Sequence, residues 1–187
     1  MYDATASALD DFMKINVNKL ERFQENKIKF LSNLPYYIST QILLKVLPFH
    51  PNVSEASFMF QKEVAERLIA NPHTKKYSKL SVLTQYCCNI KKIFNLKSNI
   101  FYPKPDVDSC LLNFKPKKNL SIEVFNELKK ITKFAFEKRR KTIKNSLSNI
   151  EGINELLKKL EIDEQCRAEN ISVEKYVNLA QKLINKN

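Results

Sequence analysis

Glycine is almost missing: Gly152 is the only one in 187 residues. A glycine-rich loop lets backbone N–H groups close around a phosphate or a cofactor, so no such loop can be built from these residues. Either the protein needs none, or the loop lies outside this chain. Histidine is nearly as scarce, with His50 and His73 alone. Neither stands beside a Ser or Cys in a way that suggests a nucleophilic triad, so both read as structural or surface residues. The four cysteines, Cys87, Cys88, Cys110 and Cys166, show no C-x-x-C spacing. Adjacent thiols do not easily chelate one metal, so zinc is not expected, and the four read as buried thiols of a reducing compartment. No run approaches the ~18 apolar residues of a membrane span, and the opening "MYDATASALDDF" is acidic without an apolar core segment. The expectation is a soluble, cytoplasmic, monomeric chain with neither metal nor membrane.

Positive charge is abundant. The formal net charge is +12 with a calculated pI near 9.5, which favours polyanions, nucleic acid above all. Its distribution says more than its total. Lys115 to Ile150 holds eleven Lys/Arg against three Glu, a net of +8, in less than a fifth of the chain. A merely solvated lysine-rich face would spread that charge more evenly.

Strand and helix patterns alternate in the first part. "KIKFLSNL" (27–34) reads as a buried strand, and "STQILLKVLPF" as a helix opened by Ser39 or Thr40 and stopped near Pro48. "EASFMFQKEVAERLIA" begins as a strand and passes into an amphipathic helix. "LSVLTQYCCNIKKIFNL" reads either as a helix leading to a strand or as a long interrupted helix, while "VDSCLLNFKP" alternates as a strand ending at Pro116. After Lys117 strand signals vanish. Ile122, Phe125, Leu128 and Ile131, then Phe136, Ile143 and Leu147, recur at helical spacing, with two further helices in "INELLKKLEI" and "SVEKYVNLAQKLIN", the last capped by Ser172. The spacing predicts a helix around 134–147 whose packing side leaves Arg140, Lys141 and Lys144 on another face. No repeat appears. The expected domains are an α/β part, 1–117, and a small helical one, 118–187.

One short stretch carries chemistry. In "SNLPYYIST" a strand signal stops at Asn33-Leu34-Pro35-Tyr36. Pro35 lacks an N–H and biases Leu34 to extended backbone, which can turn the Leu34 carbonyl and the Asn33 amide oxygen toward one small volume. Tyr36 beside them offers a flat ring for a planar ligand. Two acceptors and a plate suit an aromatic amine. Acceptors placed for a tetrahedral rather than a flat nitrogen favour attack of that amine on an electrophilic methyl, with no strong base required. A simple turn, in which Tyr packs on Pro, is the plainer reading of the same residues.

"SNLPYYIST", "FMFQKEVAERLIA", "YSKLSVLTQY", "FYPKPDVDSCLL", "FEKRRKTIKNSL" and "CRAENISVEKYVNLA", in this order from about Asp11 to Leu183, resemble the small-subunit ribosomal RNA adenine dimethyltransferase family. The resemblance implies an α/β fold: a partial Rossmann-like S-adenosylmethionine-dependent methyltransferase sheet, its first strands missing, followed by a small all-α C-terminal domain that binds RNA. It implies an enzyme that uses S-adenosylmethionine to place two methyl groups on each of two adjacent adenosines near the 3′ end of small-subunit rRNA. The partner would be that rRNA, or the immature small ribosomal subunit.

By that likeness Asn33, Leu34, Pro35 and Tyr36 form the amine and base site, with Asn33 also near the cofactor. Phe101, opening "FYPKP", would close a sandwich on a flipped base, whose flipping costs a few kcal/mol that stacking can offset. Read alone, Phe101 is a core aromatic before a proline-rich turn. "LDDFMKIN" resembles the family's acidic strand end, so Asp11 would touch the cofactor's adenine side, 22 residues before Asn33; an exposed acidic turn is the alternative. Arg139, Arg140, Lys141 and Lys144 would grip RNA phosphates. The family opens on a glycine-rich loop that this chain lacks, as though two βα units were missing. A second reading is therefore a non-catalytic rRNA-binding assembly factor of methylase descent.

Overall fold

The computed structural model describes residues 28–32, 40–41, 43–44 and 53–186. Four strands form one mixed sheet: β1 (Ile28–Ser32), β2 (Val53–Gln61), β3 (Cys88–Leu96) and β4 (Ser109–Pro116), in the order β1-β2-β4-β3. β1 and β2 are parallel, so a crossover must join them, and Thr40, Gln41, Leu43 and Leu44 on it are helical. β4 lies antiparallel between β2 and β3. Helices α1 (Lys62–Leu68) and α2 (Lys79–Cys87) connect β2 to β3. Of the two readings of "LSVLTQYCCNIKKIFNL", the helix leading to a strand is the one adopted: α2 ends at Cys87 and β3 starts at Cys88.

The described residues divide into two compact units, one up to Ala65 with Cys88–Pro116, the other Glu66–Cys87 with the chain from Lys117. In the first unit alternation sorts the sheet faces. Phe58, Phe60 and Phe114 share a face, with ring centroids 5.9 to 6.5 Å apart, beside Ala56, Leu112 and Cys110. Ser57 and Asn113 sit on the opposite face, joined by a 2.9 Å hydrogen bond from Asn113 Nδ2 to Ser57 Oγ. β3 is an edge strand, mostly exposed, with Lys91 and Lys92 followed by a register break at Ile93. Lysines and a bulge both discourage edge-to-edge pairing. One expectation fails at β1: the strand forms, but Leu31 is 81% exposed, so it is not a strand buried on both faces. A continuous apolar run cannot say which neighbours will cover it.

The second unit is helical, with α3 (Ile122–Glu137), α4 (Ile143–Ser146), α5 (Ile153–Lys159) and α6 (Val173–Ile184) beside α2. Ser121, Thr142 and Ser172 cap α3, α4 and α6, each side-chain oxygen accepting from the N–H three residues on. Leu128, Ile131, Ala135, Ile143, Leu147, Tyr176 and Leu179 are fully buried. Ile122, on the same apolar spacing, is 55% exposed because it opens the first turn. Gly152 adopts φ +70° as it enters α5, a left-handed conformation that suits glycine.

The predicted helix over 134–147 is a correction. α3 stops at Glu137, Lys138 leaves helical backbone at φ −114° and ψ 63°, and α4 restarts only after Thr142. Phe136, Ile143 and Leu147 still face inward, so the apolar spacing is genuine while the helix is not continuous. Tertiary hydrogen bonds break it: Thr142 bridges to Arg167, and the Ile143 N–H donates to the Cys166 carbonyl at 2.7 Å.

Candidate functional site

Asp11 and the run Asn33, Leu34, Pro35 and Tyr36 lie outside the described residues, as does His50. What is described is the sheet edge at which β1 ends. β1 ends at Ser32, one residue before Asn33, and Ser32 is in register with Phe58 of β2. At the same edge Gln61 closes β2, and Ser109, paired with both Gln61 and Leu96, opens β4 where β3 ends. The carboxyl ends of β1, β2 and β3 thus share one edge. Ligands of open α/β sheets bind beyond the carboxyl ends of the strands.

The loop Lys97–Asp108 hangs from that edge and carries Phe101. Its frame is local. Ser98–Ile100 forms one 3-10 turn, and the Phe101 N–H donates to the Ser98 carbonyl at 3.3 Å. Asp108 fastens the loop: its Oδ1 accepts from the Ser98 N–H at 3.0 Å, and its carbonyl accepts from the Lys62 N–H at 2.9 Å. The Tyr102–Pro103 peptide is cis. Phe101 is half-buried, whereas Ile100 and Tyr102 are open to solvent. Asp108 escaped the sequence reading because an acid before a strand has many local roles. Only the pairing of β3 with β4 reveals its two partners.

The basic segment belongs to the helical unit and is a candidate in its own right. Arg139, Arg140 and Lys141 lie on the turn between α3 and α4, and Lys144 lies inside α4. They are not equivalent. Arg139 Nη2 donates to Glu169 Oε2 at 3.0 Å and to the Lys75 carbonyl at 2.8 Å. Lys144 Nζ donates to Glu164 Oε2 at 2.7 Å, and this bond with the lysine's charge holds the Glu164 carboxyl below its ordinary range. Arg140 and Lys141 are exposed and form no ion pair among the described residues. The turn itself is closed by a 2.8 Å hydrogen bond from the Lys141 N–H to the Lys138 carbonyl. A fixed turn presenting two uncommitted cations can hold phosphates without reading bases.

His73 Nδ1 stands 3.0 Å from Asn170 Nδ2 at the surface, and the backbone N–H of His73 donates to the Glu169 carbonyl at 2.8 Å. It has no acid or nucleophile in a catalytic arrangement among the described residues. Cys87, Cys88 and Cys110 are buried and Cys166 is half-buried, and no cluster of His, Cys, Asp and Glu suited to a metal occurs among the described residues. No described helix is long and apolar enough to cross a membrane. The one glycine caps α5 in the helical unit, so it supplies no backbone cradle for S-adenosylmethionine, and the residues that would hold that cofactor, Asp11 and Asn33, lie outside the described ones.

Comparison with known proteins adds the following. Residues 7–185 match a family model described as ribosomal RNA adenine dimethylase. A ribosomal RNA small subunit methyltransferase A from Buchnera aphidicola subsp. Baizongia pistaciae is 42% identical over 174 residues, covering 92% of this chain and 66% of that protein. The protein of the same name from Francisella tularensis subsp. novicida is 40% identical over 172 residues, with 91% and 66% covered. This chain thus spans slightly less than two thirds of those relatives. Among solved structures, a dimethyladenosine transferase from Plasmodium falciparum superposes with a TM-score of 0.74 at 25% identity, covering 84% of this chain and 67% of that one. The 23S rRNA methyltransferase ErmE superposes at 0.61 with 18% identity, covering 86% of this chain and 66% of that one, a likeness of fold alone.

Proposed function

Because the chain belongs to the ribosomal RNA adenine dimethylase family, we propose that it carries the base-binding and RNA-binding parts of an rRNA (adenine-N6,N6)-dimethyltransferase. The substrate would be two adjacent adenosines near the 3′ end of small-subunit rRNA, in the maturing small ribosomal subunit. Members of the family are S-adenosylmethionine-dependent methyltransferases. The single observation that carries the reading is topological. The loop holding Phe101 springs from the sheet edge at which β1 hands over to Asn33.

On this reading a target adenine leaves its stack and is held between Phe101 and Tyr36, each ring covering one face. Asn33 and the Leu34 carbonyl accept from its amino group, orienting the nitrogen lone pair away from the ring system. S-adenosylmethionine would supply the electrophilic methyl group, its sulfur leaving as S-adenosylhomocysteine. The methylated nitrogen then loses its proton to water, so His50 and His73 are not needed. Arg140 and Lys141 hold backbone phosphates, and Arg139 and Lys144 brace the turn that presents them. The helical segment from residue 118 is the RNA-binding part, and residues 1–117 belong to the methyltransferase part.

A second reading, a non-catalytic rRNA-binding assembly factor of methylase descent, is favoured by one observation: the only glycine is Gly152. Calorimetric titration of the 187-residue chain with S-adenosylmethionine separates the two. Micromolar binding with Asp11 and Asn33 required supports the enzyme. No heat at millimolar ligand, with rRNA binding retained, supports the assembly factor.

A further inference from the structure

The turn at 138–141 does not hold all the unpaired positive charge of the helical unit. Tyr86 of α2 stacks on Phe125 of α3, with ring centroids 6.4 Å apart and 17° between planes. Its hydroxyl also exchanges hydrogen bonds with Ser121, donating to the carbonyl at 3.1 Å and accepting from the N–H at 3.2 Å. Just before α2, Tyr77 meets Phe136 of α3 with ring centroids 6.1 Å apart, so α2 lies along α3 between these two ring contacts and its first residue, Lys79, comes beside the stretch where Lys129 and Lys133 stand four residues apart. Lys129 Nζ lies 5.5 Å from the centre of the Phe125 ring, which fixes its direction. Burial, and then the charges of Lys129 and Lys133, hold the Lys79 ammonium below its ordinary range.

Among the described residues none of the three forms an ion pair, although their neighbours do: Lys130 takes Glu127, and Lys76 takes Glu66. Like charges four apart on a helix destabilise it, and a third nearby adds to the cost. Two helices that only had to pack would not collect three such groups at their junction.

We infer that Lys79, Lys129 and Lys133 form a second phosphate-binding patch, built across α2 and α3, that grips an RNA backbone separately from the turn at 138–141. The inference rests on the reading that this chain engages rRNA. Ammonium groups are point charges without the fork that reads a base, so the patch supplies affinity and orientation rather than sequence choice. The occupant is an RNA backbone, a run of phosphates whose charge complements three ammonium groups that form no ion pair among the described residues.

The test measures binding of the full chain to a fluorescent 20-base-pair RNA hairpin across a salt series. In the triple variant Lys79→Gln, Lys129→Gln, Lys133→Gln, the slope of log affinity against log salt should shrink by about 2 to 3. The melting temperature should hold or rise, because repulsion is relieved. A charge-matched control, Lys158→Gln, Lys159→Gln, Lys182→Gln, should change the slope by less than half as much. Equal slopes for the triple variant and the wild type, or equal losses in variant and control, overturn the patch while leaving rRNA binding by the chain intact. If polyglutamate affinity falls as far as RNA affinity, the commitment to RNA is overturned. Failure of the wild type to bind the hairpin at low salt overturns the patch and the rRNA reading together.

Discussion

Arg139 and Glu169 meet at 3.0 Å across 30 residues of sequence, and the same guanidinium nitrogen reaches the Lys75 carbonyl at 2.8 Å. One basic side chain thereby ties the turn after α3 to two other segments of the helical unit. Arg139→Ala should cost little stability, about 0–1 kcal/mol, because the pair is partly exposed. Its larger effect is expected on the turn. Hydrogen exchange at the Lys141 amide, closed onto Lys138, should quicken in Arg139→Ala and in Glu169→Gln alike. Protection as strong as in the wild type would remove Arg139 from this bracing role.

Lys144 and Glu164 make a second brace whose strength depends on pH. The Glu164 carboxyl is held low in the folded chain, first by the hydrogen bond from Lys144. A carboxyl depressed below its unfolded value, near 4.3, adds stability above that value and loses it as pH falls through the folded one. Urea midpoints measured from pH 7 to pH 3 should therefore fall less steeply on the acid side in Glu164→Gln than in the wild type. Identical acid limbs would contradict the pairing.

Tyr77 and Tyr176 are both fully buried, yet only one of them has its hydroxyl satisfied. Tyr176 Oη donates to the Ala168 carbonyl at 2.9 Å, whereas Tyr77 Oη has no partner among the described residues. Removing the first hydroxyl should cost about 1 kcal/mol; removing the second should be neutral or stabilising, since an unpaired buried hydroxyl is itself a penalty. Chemical denaturation of Tyr176→Phe and Tyr77→Phe checks the contrast. A larger loss for Tyr77→Phe than for Tyr176→Phe would reverse the assignment.

Asp108 fastens the Phe101 loop through both its carboxylate and its backbone carbonyl. Only the first contact is lost on mutation. Asp108→Ala should destabilise by about 1–2 kcal/mol and unprotect the Ser98 and Phe101 amides, while Asp108→Asn, which keeps an acceptor oxygen, should lose less. Equal behaviour of the two variants would show that the side chain is not the fastener.

Gly152 stands at φ +70°, and a Cβ there would run into the Lys186 side chain. Gly152→Ala should cost about 1 kcal/mol, and Gly152→Asn somewhat less, because Asn tolerates the left-handed region. Melting curves of the two variants read the difference.

Much of the site's setting was readable in the chain itself. The strand ending before Asn33, the strand of Ser109–Pro116, and the Ser172 cap with its helix are all local patterns, set by hydrogen bonds and side-chain periods that close within about four residues. The basic loop shows where such patterns fail. Phe136, Ile143 and Leu147 keep helical spacing and are drawn inward, yet the helix breaks between them because Thr142 and Ile143 bond to Arg167 and Cys166. Likewise nothing in Arg139, Arg140, Lys141 and Lys144 separates the two that face carboxylates from the two that face solvent. Six ordered sequence blocks carried the family resemblance, while composition and spacing determined the α/β-then-helical order and the excess of positive charge. Which cations stay available, which loop shares an edge with the end of β1, and which lysines gather at the α2–α3 junction were decided by tertiary packing, because those partners stand tens of residues apart and no local preference encodes their meeting.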